Sequence, residues 1–323
     1  MCRHAQIESV KKEKSNPAAI FEAFMEETKY IWMDGKFVEW KEAKVHVLTH
    51  TLHYGLGVFE GIRFYETDKG PAVFRLKDHT KRLFDGAKKA FMEVPYTEEQ
   101  INDAVRETIR KNGIKAGYIR PIIFYGYGKM GLDPHGAPVN AAIAVWPWGA
   151  YLGEGAVKVK TSRFIRIHPK STHAECKFCG HYVNSIFASL EAKEKGYNEA
   201  LLLDYEGYCA EGPGENLFIV RNGKLLTPKL GNILQGITRK SIIEIANNEG
   251  IGVEEAKLRL EDVYNADEAF FTGTAAEVTA IASVDDRKIG KEAPGPVTKK
   301  LKELFLDIVH GKNGKYKGWL AYL

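Results

Sequence analysis

A glycine-rich bend that carries two carboxylates is encoded by Ala210-Glu-Gly-Pro-Gly-Glu-Asn-Leu217. The carboxylates are those of Glu211 and Glu215. The bend lies between two uncharged runs, Ala200-Leu-Leu-Leu203 and Leu217-Phe-Ile-Val220, each of which is typical of a buried β-strand. The pattern therefore predicts a sharp turn that leads acidic side chains into the buried strands of the second half of the chain.

Three further features of the same half have the chemistry of one kind of site. Gly236-Ile-Thr-Arg239 opens a predicted helix, and Thr272-Gly-Thr-Ala-Ala-Glu277 closes a predicted strand. Each offers backbone N–H groups and a hydroxyl at a chain turn, which suits phosphate binding. Lys177 lies in a polar turn just before a helix predicted over 182–195. A lysine, a carboxylate and two phosphate-binding turns are the parts that a pyridoxal-phosphate site needs.

Strands and helices alternate along both halves of the chain. Asp34-Gly35 separates two β-rich runs and predicts a hairpin, whereas Thr97 begins a capping box before an apolar helix that Gly113 ends. Pro296 occupies the first position of a helix predicted over 297–309. The interleaving predicts an α/β or α+β fold, and the hairpins argue against a purely parallel sheet.

The length of 323 residues corresponds to roughly two domains of ~150 residues each. The stretch over 147–155 is rich in glycine and proline and is the best candidate for a linker between them. We therefore predict an N-terminal extension over 1–28, a small α/β domain over 29–146, an interdomain loop over 147–155 and a large cofactor-binding domain over 156–323.

Charge and cysteine content exclude several classes of function. The net charge is +4 and no dense basic cluster occurs, which argues against a nucleic-acid partner. Four cysteines are too few for a disulfide framework and fit a reducing compartment. No uncharged run could form a continuous apolar helix across a membrane, and the N-terminus lacks the apolar stretch of a signal peptide. The sequence thus predicts a cytoplasmic protein without a membrane partner.

Two other motifs resemble ligand sites. Gly126-Tyr-Gly-Lys-Met-Gly131 matches a dinucleotide-binding pattern, but Pro134 follows where the pattern requires a helix, so the motif predicts only a glycine-rich loop. His46, His50 and His53 lie close together in a run that looks extended, and no carboxylate or cysteine is near them. We therefore do not assign a metal site to these histidines.

A function of a different class is suggested by His173, Cys176, Cys179 and His181, because their types and short spacing are those of zinc ligands. The alternative is a metal-binding module. Zinc would fold this turn around itself and draw Lys177 away from the other site residues, so we predict no bound metal. A nearby ammonium would lower the pKa of these thiols, and we expect their oxidation to reduce activity.

Seven stretches follow one another at the intervals of a known family. They are Val45-His-Val-Leu-Thr-His-Thr-Leu-His-Tyr-Gly55, Val58-Phe-Glu-Gly-Ile-Arg63, Tyr118-Ile-Arg-Pro121, Pro147-Trp-Gly-Ala-Tyr-Leu152, Glu211-Gly-Pro-Gly-Glu-Asn-Leu-Phe218, Gly236-Ile-Thr-Arg239 and Gly273-Thr-Ala-Ala-Glu277. Over about residues 30–319 the chain resembles the branched-chain amino acid aminotransferases, which are fold-type-IV pyridoxal-phosphate enzymes. The resemblance implies a two-domain α/β (α+β) architecture of that fold type, and a homodimer.

The resemblance implies a role for each matching residue around the cofactor, pyridoxal 5'-phosphate. Lys177 resembles the catalytic lysine that holds the cofactor as a Schiff base and shuttles the α-proton. Glu211 resembles the carboxylate that pairs with the pyridine nitrogen, and Tyr182 the phenol that contacts the ring oxygen. The residues that match the phosphate contacts are Arg82, Ile237, Thr238 and Thr274.

The resemblance also implies roles for the residues that would contact the substrate. The residues that resemble the apolar wall for a branched side chain are Phe59, Tyr118, Trp148 and Tyr151. Those that resemble the groups around the α-carboxylate are Arg120, Tyr54, Thr274 and Ala275. In the family, Tyr54 and the loop around Leu132 reach into the site of the neighbouring subunit.

The implied reaction is transamination between leucine, isoleucine or valine and 2-oxoglutarate, giving branched 2-oxo acids and L-glutamate. Alternatives of the same fold are D-amino acid aminotransferase, (R)-amine transaminase and aminodeoxychorismate lyase. The chain departs from the family after the lysine, because Phe178, Cys179 and His181 stand where small residues and then asparagine are usual. The N-terminal extension has no counterpart in the family.

Overall fold

The computed structural model describes residues 25–149, 152–153 and 155–323. Residues 1–24 of the predicted N-terminal extension, and Tyr151 of the predicted substrate wall, lie outside the described residues. Two β-sheets form the framework. In the part of the chain that the structure describes, no helix is long and apolar enough to cross a bilayer. The division into a small and a large domain stays a prediction.

The strands and helices follow one another along the chain as the interleaved pattern predicts. The strands are Tyr30–Met33 (β1), Lys36–Glu39 (β2), Gly57–Phe59 (β3), Ile62–Thr67 (β4), Gly70–Phe74 (β5), Gly117–Tyr125 (β6), Val139–Trp146 (β7), Val157–Thr161 (β8), Glu199–Leu203 (β9), Cys209–Glu211 (β10), Asn216–Arg221 (β11), Lys224–Pro228 (β12), Val253–Ala256 (β13), Glu268–Gly273 (β14), Glu277–Val284 (β15), Arg287–Lys288 (β16) and Leu320–Tyr322 (β17). The α-helices are His50–Tyr54 (α1), Leu76–Lys89 (α2), Glu98–Asn112 (α3), Tyr182–Glu194 (α4), Ile237–Asn248 (α5), Leu260–Tyr264 (α6) and Pro296–Val309 (α7).

The first sheet has the strand order β17-β5-β4-β6-β7-β1-β2, with β3 beside β6, and its pairings are antiparallel. The hairpin predicted at Asp34-Gly35 is confirmed, since both residues have positive φ (48° and 85°) between the paired strands β1 and β2. The capping box is also confirmed: the Thr97 hydroxyl accepts from the Gln100 N–H at 3.2 Å, and the Gln100 side chain accepts from the Thr97 N–H at 2.8 Å. The chain's last strand returns to this sheet beside β5.

The second sheet closes on itself. Its order is β10-β9-β8-β15-β14-β11-β12-β13, and β10 also pairs with β11, so six of its strands form a ring. The closing pair joins Glu211 to Asn216, at the glycine-rich bend that the sequence singles out. Three pairings are parallel, β8 with β9, β8 with β15 and β12 with β13, so the sheet is mixed as the hairpins suggest.

Helices α5 and α7 cover the second sheet. Ile242 of α5 and Leu301 and Phe305 of α7 pack with Phe218 and Phe270, all of them buried. Such helix-on-sheet packing is the main source of stability in a fold of this class. The helix predicted from Pro296 is confirmed, with the proline in its first turn.

Two elements differ from the sequence prediction. The run that contains His50 and His53 is not extended: it forms the short helix α1, which Gly55 ends in the left-handed conformation (φ 70°). The sequence from Val157 to Ile167 alternates like a strand, but strand β8 ends at Thr161. The Ser162 N–H still donates to the Leu201 carbonyl, whereas the Arg163 N–H donates to the Glu191 carboxylate of α4 at 3.0 Å.

Helix α4 carries its apolar stripe on the outside. Val183, Ile186, Phe187 and Leu190 are each more than half exposed, whereas small or polar residues of the helix face the second sheet. In the sequence these apolar residues share one face of the helix predicted over 182–195. The helix is confirmed, but that face is not the buried one, because the chain itself does not cover it.

Lys177 is held between the two sheets. The Phe59 N–H of β3 donates to the Lys177 carbonyl at 3.2 Å, and the Gly180 N–H donates to the Gly55 carbonyl at 2.9 Å. A Cβ on Gly55 would lie 2.9 Å from the Gly180 Cα, so only glycine permits this close approach. The lysine segment, which leads into α4, is therefore fixed to a strand of the first sheet.

Candidate active site

A cavity of about 380 Å³ lies where the lysine segment meets both sheets. The predicted site residues that line it are Phe59, Arg82, Tyr118, Arg120, Trp148, Lys177, Tyr182, Glu211, Ile237, Thr238, Thr274 and Ala275. Tyr54 and Leu132 do not line it, and their side chains are 43% and 91% exposed. The structure thus brings together residues that lie up to 216 positions apart, from Phe59 to Ala275.

The Lys177 amine sits between two aromatic rings. Its Nζ donates a hydrogen bond to the Tyr182 hydroxyl and lies 4.9 Å from the ring centre of Phe59. Burial removes water from the ammonium and lowers the pKa of Lys177 to about 8. A substantial fraction of this lysine is therefore a neutral amine near physiological pH, which is the form that attacks a carbonyl carbon.

The Glu211 carboxylate is held from three directions. Arg166 Nε donates to one oxygen at 2.5 Å, Asn216 Nδ2 donates to the other at 2.9 Å, and the Leu234 N–H lies 3.1 Å from both. Burial raises the pKa of Glu211, and the Arg166 guanidinium opposes that rise. The geometry orients a carboxylate rigidly at the cavity wall, where it can accept a proton from a ligand or stabilise a cation.

Arg82 enters the cavity already paired. Its Nε and Nη2 donate to the two oxygens of Glu60 at 2.6 and 2.8 Å, and Nη1 donates to the Gln235 carbonyl at 2.7 Å. His79 Nδ1 lies 2.8 Å from Glu60 Oε2. Although burial opposes it, Arg82 and His79 hold the pKa of Glu60 below its ordinary value. Five N–H groups belong to an arginine, so two remain for a ligand.

Glu60→Gln is expected to lower the free energy of unfolding by about 3 kcal/mol, because Glu60 is fully buried and its loss leaves the largely buried Arg82 without its countercharge. Urea denaturation at neutral pH measures the change. The matched control is Glu66→Gln, which removes an exposed pair with Lys115 and is expected to cost less than about 1 kcal/mol. Equal effects of the two substitutions would contradict the structural role of Glu60.

The residues at one end of the cavity fit a phosphate group. Helix α5 begins there with Ile237 and Thr238, and the first N–H groups of a helix have no partner within it. A Cβ on Gly236 would lie 1.9 Å from Asn216 Oδ1, so the turn before the helix requires glycine. The Thr272 hydroxyl oxygen is buried and without a hydrogen-bond partner among the described residues. With the remaining Arg82 donors, these groups satisfy the needs of a bound phosphate ester.

Aromatic rings form the opposite wall. Tyr118 contacts Trp148 with ring centres 4.3 Å apart, and Arg120 places its guanidinium 4.9 Å from the ring centre of Phe59. The Nε atom of Arg120 is buried and has no partner in the described part of the chain. An apolar wall beside a free guanidinium donor can accept an aliphatic group and a carboxylate in one space.

Comparison with known proteins agrees with this geometry. The family model described as amino-transferase class IV matches residues 57–284. The chain belongs to the class IV aminotransferases. A relative of this family, the branched-chain-amino-acid aminotransferase of Pseudomonas aeruginosa, is 50% identical over 293 residues, which are 90% of this chain and 95% of the relative.

Solved structures of class IV aminotransferases share the fold. The T.th. branched-chain amino acid aminotransferase complexed with N-(5'-phosphopyridoxyl)-L-glutamate has a TM-score of 0.89 at 46% identity, covering 91% of this chain and 98% of that one. The branched-chain aminotransferase of Thermoproteus uzoniensis with norvaline has a TM-score of 0.88 at 45% identity, covering 91% and 99%. The family depends on pyridoxal 5'-phosphate. The predicted fold type, enzyme class and cofactor are thereby confirmed.

Sequence reasoning missed three residues of the aminotransferase site. Arg166, Asn216 and Glu60 hold Glu211 and Arg82 in place. Glu60 and Asn216 lie inside the quoted stretches, but nothing in the sequence says that their side chains point at other site residues. Arg166 follows β8 in a segment without a motif, and only the fold brings its side chain into contact with Glu211 of the glycine-rich bend.

The departures after the lysine form a compact local structure. His181 Nδ1 lies 3.1 Å from the Cys176 carbonyl and its Nε2 lies 2.9 Å from the Thr172 hydroxyl, so the ring closes the turn that carries Lys177. Burial and the Arg166 charge lower the pKa of His181. Among the described residues, no group of three or more histidine, cysteine or acidic side chains could hold a metal ion.

The two thiols beside Lys177 are expected to react slowly with iodoacetamide at neutral pH. Burial raises the pKa of Cys176 and of Cys179 to about 11, opposite to the direction expected from a nearby ammonium, so little thiolate forms. Mass spectrometry of the labelled protein measures the modified fraction, with urea-denatured protein as the control. Rapid labelling of both thiols together with loss of activity would restore the redox role that the sequence suggests.

Proposed function

We propose that this aminotransferase transfers the amino group between leucine, isoleucine or valine and 2-oxoglutarate, giving branched 2-oxo acids and L-glutamate. The observation that carries the proposal is one cavity in which Lys177 and Glu211 face an aromatic wall with Arg120 beside it. The wall suits an aliphatic side chain, and the guanidinium suits the extra carboxylate of 2-oxoglutarate. Both substrates of a two-step amino transfer thus find a partner in the same space.

When bound, pyridoxal phosphate withdraws electrons from the α-carbon of the amino acid, so that its proton can be removed. Lys177 would hold the cofactor covalently until the substrate amine displaces it. Its free amine, whose pKa burial lowers to about 8, would take the α-proton and hold it for return. Tyr182 accepts a hydrogen bond from the Lys177 amine, which orients that amine, and its hydroxyl would contact the ring oxygen of the cofactor.

Glu211 would pair with the ring nitrogen of the cofactor and keep it protonated. Arg166, Asn216 and the Leu234 N–H hold the carboxylate so that this pairing costs no reorganisation during the reaction. Arg82, Ile237, Thr238 and Thr274 would hold the phosphate at the other end. Residues at both ends of the cavity would thus hold the cofactor in one orientation beside the aromatic wall.

Substrate profiling tests the proposal against its rivals of the same fold. We expect purified holoenzyme to transfer amino groups from L-leucine, L-isoleucine and L-valine to 2-oxoglutarate, and to act poorly on D-alanine and (R)-phenylethylamine. Preference for D-alanine or the amine would favour D-amino acid aminotransferase or amine transaminase. Release of pyruvate from aminodeoxychorismate would favour the lyase.

Arg120→Ala is expected to lower kcat/KM roughly 100-fold for 2-oxoglutarate and less for L-leucine, because a dicarboxylate depends more on the guanidinium. Initial rates with each substrate varied, and cofactor retention on dialysis, separate this effect from loss of cofactor. Arg120→Lys is the control that keeps the charge but loses the planar donor geometry. If both substrates are unaffected, the carboxylate site lies elsewhere.

We propose further that two copies of the chain form a homodimer. Val183, Ile186, Phe187 and Leu190 leave an apolar stripe uncovered on α4, and Tyr54 and Leu132 are exposed beyond the cavity. Large apolar side chains in such a patch favour association. Sedimentation equilibrium is expected to give twice the chain mass, and a monomer at micromolar concentration would contradict the proposal.

A further inference from the structure

A second cavity, of about 280 Å³, shares a loop with the candidate active site. Residues 228–233 line the second cavity, and Leu234 and Gly236 line the first. Strand β10 is shared in the same way, since Cys209 and Ala210 line the second cavity and Glu211 the first. The two cavities are therefore separated by one strand and one loop.

The side-chain amide of Asn232, which lines the second cavity, lacks hydrogen-bond partners. Both its amide nitrogen and its amide oxygen are buried, and neither has a hydrogen-bond partner among the described residues. An unpaired buried donor or acceptor costs about 1–3 kcal/mol, and native proteins rarely retain one without a ligand or water to satisfy it. The amide calls for a ligand that offers an acceptor and a donor side by side.

The charged residues around the cavity limit further which class of ligand could bind there. Lys229 is exposed at its rim and forms no ion pair within the described part of the chain, whereas Lys257 is paired with Glu206 at 2.7 Å. Asp204 Oδ1 accepts the N–H groups of Glu206 and Tyr208 at 2.9 Å, and the Asp204 carboxylate has no ion-pair partner among the described residues. The lining thus offers one cation, Lys229, and one carboxylate, Asp204, that are not in ion pairs.

We propose that this cavity binds a free α-amino acid. The carboxylate would accept from Lys229 and from Asn232 Nδ2, and the ammonium would donate to Asn232 Oδ1, so that each polar atom gains the partner it lacks. The apolar remainder of the cavity, formed by rings of Tyr205, Tyr208 and Pro228, takes the side chain. A simple carboxylic acid leaves the amide oxygen unpaired, and a simple amine leaves the lysine and amide nitrogen unpaired.

The bound amino acid acts on the loop that fixes the first site. The Leu234 N–H holds Glu211 and the Gln235 carbonyl holds Arg82, two and three residues beyond Asn232. An amino acid anchored on Asn232 restrains this loop and links the concentration of the ligand to the geometry around Glu211 and Arg82. The site is thus an effector site for the kind of compound that the enzyme processes.

The test is calorimetric titration of L-leucine into holoenzyme whose lysine–cofactor bond has been reduced with borohydride, so that the substrate amine cannot displace the lysine. This design rests on the proposed attachment at Lys177, which mass spectrometry of the reduced protein checks separately. We expect a binding event that is weakened roughly tenfold or more by Asn232→Leu and by Lys229→Met, and is unchanged by Lys224→Met or by Arg120→Ala.

Two analogues complete the test. 4-Methylvaleric acid lacks the ammonium and L-leucinamide lacks the carboxylate, and both are expected to bind at least roughly tenfold more weakly than L-leucine. Absence of binding to verified reduced holoenzyme would overturn the proposal. Binding that Lys229→Met leaves unchanged would also overturn it, and this variant remains informative even if Asn232→Leu fails to fold. Binding that Arg120→Ala abolishes would overturn it too, since the ligand would then occupy the first cavity.

Discussion

Lys177→Ala is expected to reduce transamination by roughly 10³-fold or more while the protein stays folded. The substitution removes both the covalent attachment of the cofactor and the amine that moves the α-proton, and general acid–base catalysis alone contributes about 10²–10⁴-fold. Cofactor binding is expected to weaken without disappearing, because Glu211, Arg82 and the start of α5 remain. Initial rates and cofactor retained after dialysis measure the two effects separately.

Lys170→Ala is the matched control for that experiment. Lys170 lies in the same segment of the chain but is exposed, and it does not line the cavity. We expect the activity of the Lys170→Ala variant to match that of the parent enzyme, and we expect circular dichroism to show that both variants are folded. Near-normal activity of Lys177→Ala would remove this lysine from the mechanism.

Glu211→Gln is expected to slow removal of the α-proton by roughly 10²- to 10³-fold, the range measured when one electrostatic partner of a reacting group is lost. A neutral amide stabilises a protonated ring nitrogen less than a carboxylate does. Single-turnover mixing of holoenzyme with α-deuterated and ordinary L-leucine measures the step, and the isotope effect is expected to grow in the variant.

Glu215→Gln provides a control within the same bend. Glu215 is also buried at the cavity, and burial, followed by the nearby Glu199 carboxylate, raises its pKa well above the ordinary value, which favours the neutral acid. An amide resembles the neutral acid more closely than it resembles a carboxylate, so Glu215→Gln is expected to change the rate less than Glu211→Gln does. Equal loss of rate in both variants would show that the charge of Glu211 is not what matters.

Local sequence signals predicted the elements well where one residue decides the geometry. The capping box at Thr97, the turn at Asp34-Gly35 and the proline at the start of α7 each satisfy or remove specific backbone hydrogen bonds, so their effect does not depend on distant residues. Six of the seven motif stretches contribute residues that line one cavity, whereas the stretch over 45–55 contributes none.

Features that depend on distant contacts could not be predicted. Nothing near Arg166 indicates that it supports Glu211, 45 positions away, and the pairing of Glu60 with Arg82 requires α2 to pack against β3. The apolar stripe of α4 has the spacing of a buried face, yet it is exposed in the single chain. Helical periodicity reports which residues share a face and not what covers that face.

The absorbance spectrum of the purified protein tests the central claim most directly. A cofactor bound covalently to Lys177 is expected to give a band near ~400 nm, which L-leucine alone diminishes as one equivalent of branched 2-oxo acid is released, and which 2-oxoglutarate then restores. This cycle requires the cofactor, the lysine, the aliphatic wall and the carboxylate site together. A cofactor band that L-leucine, L-isoleucine and L-valine all leave unchanged would contradict the account.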